Sequence, residues 1–174
     1  MDDKLSLRTK LAYACGDAGC CFITYISINY YTFYMTNMIG LSLVVASIIV
    51  VISRIWDAIN DIFVGVMVDR TYTPKGKARP WIKWFLIPLV VISILMFAVP
   101  NSLPNSAKAA WCGIAFCIFT LFYTTVNLPY GAMLPLMTKS GSQRTQLATF
   151  RMFGAMVGVI GIQIFFLPTV AIIA

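Results

Sequence analysis

The stretch from Leu41 to Met67 is apolar and long enough for a membrane-spanning helix, yet it carries Arg54, Trp56, Asp57, Asn60 and Asp61 in the run Ser-Arg-Ile-Trp-Asp-Ala-Ile-Asn-Asp. An ionisable side chain near the bilayer centre costs roughly 2.5–3.5 kcal/mol, and each Leu, Ile, Val or Phe returns only about 0.3–0.6 kcal/mol. The gains and penalties of this segment therefore nearly cancel. Such a helix is stable only where its charged side meets other helices or a wet cavity, so these charges are candidates for a pathway through the protein.

The rest of the chain has the same character. Its 174 residues are 60% hydrophobic and 11% charged, and the mean hydropathy is +0.85. These values predict an all-α integral membrane protein with no soluble core. Five segments are long enough to cross a hydrocarbon layer about 30 Å thick: residues 11–36, 41–67, 81–100, 108–136 and 146–172. They are joined by a polar loop over residues 68–80 and by short turns at residues 37–40 and 101–107. The first segment is not followed by a cleavage site, so it reads as a retained helix.

The net charge of +7 is spread over short segments between apolar runs, which argues for membrane topology and against nucleic acid as a partner. With the N-terminus in the cytoplasm, Lys4, Arg8, Lys10, Arg70, Lys75, Lys77, Arg79, Lys83, Lys139 and Arg144 flank spans on the cytoplasmic side, and Lys108 faces outward. The expected location is a plasma or inner membrane, crossed several times. Gly154 and Gly158 form a small-xxx-small pair suited to a close helix crossing. The chain stops in Ala-Ile-Ile-Ala, and five spans with no polar tail read as a truncated product or fragment, or as a short last helix ending at the outer surface.

Composition removes several chemistries. There is no histidine, which excludes His metal pairs and Ser-His or Cys-His catalysis. The five cysteines, Cys15, Cys20, Cys21, Cys112 and Cys117, lie in apolar segments without metal or redox spacing and read as helix-packing residues. An enzyme is not expected, nor is any cofactor.

On a helix Arg54, Asp57 and Asp61 fall at i, i+3 and i+7, with Asn60 three residues from Asp57, which predicts one shared face. Arg54 can pair with Asp57. Two carboxylates one turn apart repel in a low dielectric unless a proton or a metal cation sits between them. Their oxygens and an amide suit a hard cation such as sodium, and the same pair could share a proton instead. A permanent ion-pair network stapling helices is the structural alternative.

Asp17 in the first span and Arg151 at the start of the fifth are the other intramembrane charges. Each either snorkels to the interface or finds an opposite charge in the bundle. The run Tyr123-Thr-Thr-Val-Asn127-Leu-Pro129-Tyr130-Gly131 mixes aromatic, hydroxyl and amide groups with helix breakers. It predicts a discontinuous fourth helix and groups that suit a hydroxyl-rich ligand, or else interface anchoring. Tyr25, Tyr30, Tyr31 and Tyr34 line a cavity or a helix interface. In the loop, Asp69 and Arg70 with Lys77 and Arg79 form either a latch for one conformation or a topology signal alone.

These residues, taken in order, resemble the glycoside-pentoside-hexuronide:cation symporters, the melibiose permease-like branch of the major facilitator superfamily. The resemblance covers Tyr13-Ala-Cys-Gly-Asp17, Arg54-Ile-Trp-Asp-Ala-Ile-Asn-Asp61, Asp69-Arg-Thr, Gly76-Lys-Ala-Arg-Pro-Trp81, Tyr123 through Gly131, and Arg144-Thr with Phe150-Arg151-Met. It implies a sugar:cation symporter of two six-helix halves working by alternating access, of which only five helices of the N-terminal bundle are present.

The resemblance further implies that Asp57 and Asp61, with Asn60 and Thr124, hold the coupling cation, a proton or sodium. Asp17, Tyr25, Asn127, Tyr130 and Arg151 would meet the sugar or glycoside. Arg54, Trp56, Asp69, Arg70, Lys77 and Arg79 would be structural or gating residues. Membrane lipid and the missing C-terminal half are the other implied partners. Cys21 and Asn127 stand where melibiose permease has acidic sugar ligands, so the resemblance does not carry melibiose over as substrate. The other readings are a carrier of a lysolipid or another non-sugar ligand, and a truncated membrane module that does not transport.

Overall fold

The computed structural model describes residues 5–74, 76–100, 102–138 and 140–173, with side chains followed as far as residue 165. The described residues are helical or connecting, with no strand among them. The helices are α1, Leu7–Met38; α2, Leu43–Asp69; α3, Arg79–Leu95; α4, Asn105–Met137; and α5, Gly141–Ile173. Over their described residues α1, α2, α4 and α5 are long and apolar enough to cross a membrane. Helix α3 has 17 residues, about 26 Å at 1.5 Å per residue. Its end tightens into a last turn, with Phe97 and Ala98 amides bonded to the Ile94 and Leu95 carbonyls.

Local chemistry sets these boundaries. Ser6 caps α1 and Ser42 caps α2, each accepting from the amide three residues on. Gly40, at φ +79°, takes the left-handed conformation between α1 and α2. Pro80 stands in the first turn of α3, where its missing amide costs nothing. Hydroxyls within the helices fold back onto carbonyls four residues earlier, as in Thr24 to Cys20, Ser93 to Leu89 and Thr125 to Leu121. That satisfies them where lipid offers no partner.

The chain divides into two compact units. One contains the chain up to Ser27 and from Met133 onward; the other is Ile28–Ala132. In the first unit α1 and α5 cross closely through small residues. A Cβ on Gly154 would lie 2.2 Å from the Ala14 carbonyl oxygen, and one on Gly158 would lie 2.8 Å from that of Ala18. Lys10 donates to Gln146 at 2.6 Å across the same crossing.

In the second unit the buried positions of α2 are Ala46, Ile49, Ser53, Asn60, Val64 and Val68, a helical stripe three and four residues apart. Cross-helix bonds place α4 against it: Trp56 Nε1 donates to the Cys117 carbonyl at 3.1 Å, and Ser53 Oγ lies 3.7 Å from Cys117 Sγ. Tyr31 is fully buried, donates to the Cys112 carbonyl at 3.0 Å, and packs with Tyr34, Phe97 and Phe116. Tyr31 and Tyr34 therefore belong to a helix interface.

Candidate functional site

The α2 charges occupy two adjacent stripes and not one. Asp57 is half-buried and Asn60 is buried, on the side of α2 that meets α4. Thr124 Oγ1 donates to Asp57 Oδ1 at 3.2 Å. Thr124 is itself buried at 3% exposure, so the bond sits inside the packed face. Arg54 and Asp61, seven residues apart, project from the neighbouring exposed stripe.

The expected Arg54–Asp57 pair is not made. Among the described residues the one ion pair within bonding distance joins Arg151 and Asp17. The reason is rotational: Asp57 leans with Ser53 and Asn60 toward α4, while Arg54, about 60° round the helix from Asp57, stays on the exposed side. The Nδ2 of Asn60 is buried with no hydrogen-bond partner. A buried polar group left unmade is costly, and such atoms mark places where a ligand or water completes the set. Among the described residues no three carboxylate or thiol groups gather into a metal site. A cation here would be held by two carboxylates with the side-chain oxygens of Asn60 and Thr124.

Asp17 and Arg151 form the second constellation, within the other unit. Arg151 Nε donates to Asp17 Oδ1 at 2.8 Å; the carboxylate side chain is 7% exposed and the guanidinium side chain 30%. Tyr13, buried beside them, hydrogen-bonds Arg151. The charge-assisted bond neutralises both groups, and removing either partner would leave the other charge unpaired and partly out of water. Tyr25, one helical face on, accepts from Gln163 Nε2 at 2.7 Å.

The fourth-span residues sit on an unbroken helix, which corrects the expected discontinuity. Helix α4 runs through Pro129 and Gly131 to Met137, and Pro129 is fully buried. In a membrane helix held by its neighbours, a proline removes one hydrogen bond without ending the helix. Asn127 and Tyr130 are both half-buried on it. Irregularity appears in α1 instead, where Ile26–Tyr30 and Tyr34–Met38 widen into π turns. Such turns recur at functional sites, and no residue pattern in the sequence announces them.

In the loop, Lys77 Nζ donates to the Asp69 carbonyl at 3.1 Å and lies over the Tyr72 ring. Trp81 Nε1 donates to Thr71 Oγ1 at 3.0 Å. The side chains of Asp69, Arg70 and Arg79 are exposed.

Residues 12–174 match the family described as MFS/sugar transport protein. The chain belongs to that family. It is a family of membrane transporters and not of enzymes. Among its relatives, a protein named putative glycoside/cation symporter YagG from Escherichia coli is 32% identical over 98% of this chain and 37% of its own length. The isoprimeverose transporter of Lactiplantibacillus pentosus is 33% identical over 93% of this chain and 34% of its own. A putative sulfoquinovose importer from Salmonella typhimurium is 35% identical over 97% and 36%. The chain thus spans about a third of the length of the relatives it matches. Family membership and the apolar helices together make it a multi-pass membrane protein.

Proposed function

We propose that this chain is the N-terminal part of a secondary active transporter that couples uptake of a sugar or glycoside to a proton or sodium gradient by alternating access. The observation that carries the reading is the α2 constellation. Asp57, fixed by Thr124, stands one turn from Asp61 and beside the buried Asn60. Two carboxylates so close in a membrane helix favour a shared positive charge, because repulsion between them falls when a cation or proton arrives. Relatives named for glycoside/cation symport, isoprimeverose and sulfoquinovose support a sugar as the coupled substrate.

The substrate contacts in this account are Asp17, Tyr25, Asn127, Tyr130 and Arg151. Arg54 and Trp56 support α2, and Asp69, Arg70, Lys77 and Arg79 gate from the loop. The basic charge of the loops supports a cytoplasmic N-terminus. Alternating access needs a second helical bundle that moves against the first, so the activity belongs to the whole transporter.

The test is uphill uptake of radiolabelled glycosides into proteoliposomes holding the whole transporter, with sodium or proton gradients imposed separately. Accumulation driven by one gradient supports the proposal. Uptake that follows the substrate gradient alone, whichever cation is imposed, contradicts it.

A further inference from the structure

The loop end of α3 has a surface that neither the cation constellation nor the substrate contacts use. Arg79 and Lys83 are one turn apart and both exposed. The same face continues into lipid-depth apolar residues, Ile87 (71% exposed), Val91 and Ile94. Trp84, 76% exposed, stands at its edge. On its other side Trp84 borders a cleft of about 270 Å³ lined by Met67, Thr71, Pro80, Trp81 and Phe85. In the floor of that cleft Trp81 is stacked on Phe85 and donates to Thr71.

Two charges, an amphipathic indole and an apolar track follow one another along the helix in the order of a phospholipid's own parts. We propose that this face binds an anionic phospholipid of the leaflet on the loop side. Its phosphate meets Arg79 and Lys83, the glycerol region lies against Trp84, and an acyl chain follows Ile87, Val91 and Ile94. Charge complementarity selects this occupant. Among the described residues of the loop and the start of α3 the charged groups are Arg70, Lys77, Arg79 and Lys83 against Asp69, and Lys77 is already committed to the Asp69 carbonyl and the Tyr72 ring. A zwitterionic headgroup would bring its own cation into this positive field. An anionic one brings only the charge that the site lacks, and indole rings settle at this depth.

The 174-residue chain in lipid nanodiscs tests the proposal through tryptophan emission, with acyl-brominated phosphatidylglycerol and acyl-brominated phosphatidylcholine as quenchers. The phosphatidylglycerol probe should reach half-quenching at a mole fraction on the order of tenfold lower than the phosphatidylcholine probe. Arg79→Gln with Lys83→Gln should remove that preference while leaving quenching by phosphatidylcholine as it was. Trp84→Phe should remove most of the preferential signal. Equal quenching by the two probes in the unaltered chain overturns the proposal, whatever the variants do. A preference that survives Trp84→Phe undiminished also overturns it, since the lipid would then lie elsewhere or the face would be covered by another copy.

Discussion

Thr124 donates to Asp57 across 3.2 Å, so the carboxylate proposed to hold the coupling cation is oriented by a hydroxyl on a different helix. The bond aligns one oxygen and leaves the other available. Hydrogen bonds to charged groups contribute about 1.5–3 kcal/mol. Thr124→Val should therefore weaken cation activation of transport about tenfold or more, while size-exclusion behaviour of the protein stays normal. Unchanged cation activation would mean that this oxygen plays no part.

Asn60 predicts a trade between stability and function. Its buried Nδ2 has no partner in the chain, so Asn60→Leu should raise thermal stability in detergent, by about 1 kcal/mol. The same change should depress transport, because the side-chain oxygen proposed to face the cation is gone. A variant that loses stability would show that Asn60 is satisfied by the fold itself.

The Asp17–Arg151 pair should behave as a coupled unit. Asp17→Asn strands a partly buried guanidinium and should cost about 3 kcal/mol. Arg151→Gln should cost a comparable amount. The double variant should be less destabilised than the sum of the two, with a coupling energy on the order of 1–2 kcal/mol in denaturant titrations. Additive losses would reduce the pair to a surface contact.

Gly154 and Gly161 make a matched comparison. A side chain on Gly154 runs into the Ala14 backbone, which cannot yield as a side chain can, whereas nothing lies within 4 Å of a Cβ at Gly161. Gly154→Leu should loosen α1 from α5 at a cost of about 1–3 kcal/mol or more. Gly161→Ala should be neutral or slightly stabilising, since alanine restricts the unfolded chain. Thermal unfolding followed by circular dichroism separates the two.

The helical membrane class was legible because it rests on composition and on runs of apolar residues, which few soluble folds can absorb. The close crossing of α1 and α5 was half legible: Gly154 and Gly158 show in the sequence, but their partners Ala14 and Ala18 are distant in it and ordinary in type. The side of α2 taken by each charge was not legible. Residues at i, i+3 and i+7 span an arc wide enough to split, and packing with Ser53 and Val64 drew Asp57 and Asn60 inward while Arg54 and Asp61 stayed outside.

Pro129 misled for a similar reason, since its local cost is fixed but whether the helix pays it by breaking depends on neighbours. The pairing of Asp17 with Arg151, 134 residues apart, follows only from the rule that intramembrane charges seek opposites. The wide turns of α1 follow from none of these rules.

The central claim is that Asp57 and Asp61 carry the coupling cation. Uphill accumulation of glycoside and its downhill exchange should be compared in proteoliposomes holding the whole transporter with Asp57→Asn or Asp61→Asn. The account predicts that either change abolishes cation-driven accumulation while protein abundance in the membrane is unchanged. Accumulation at the unaltered level in both variants would contradict it.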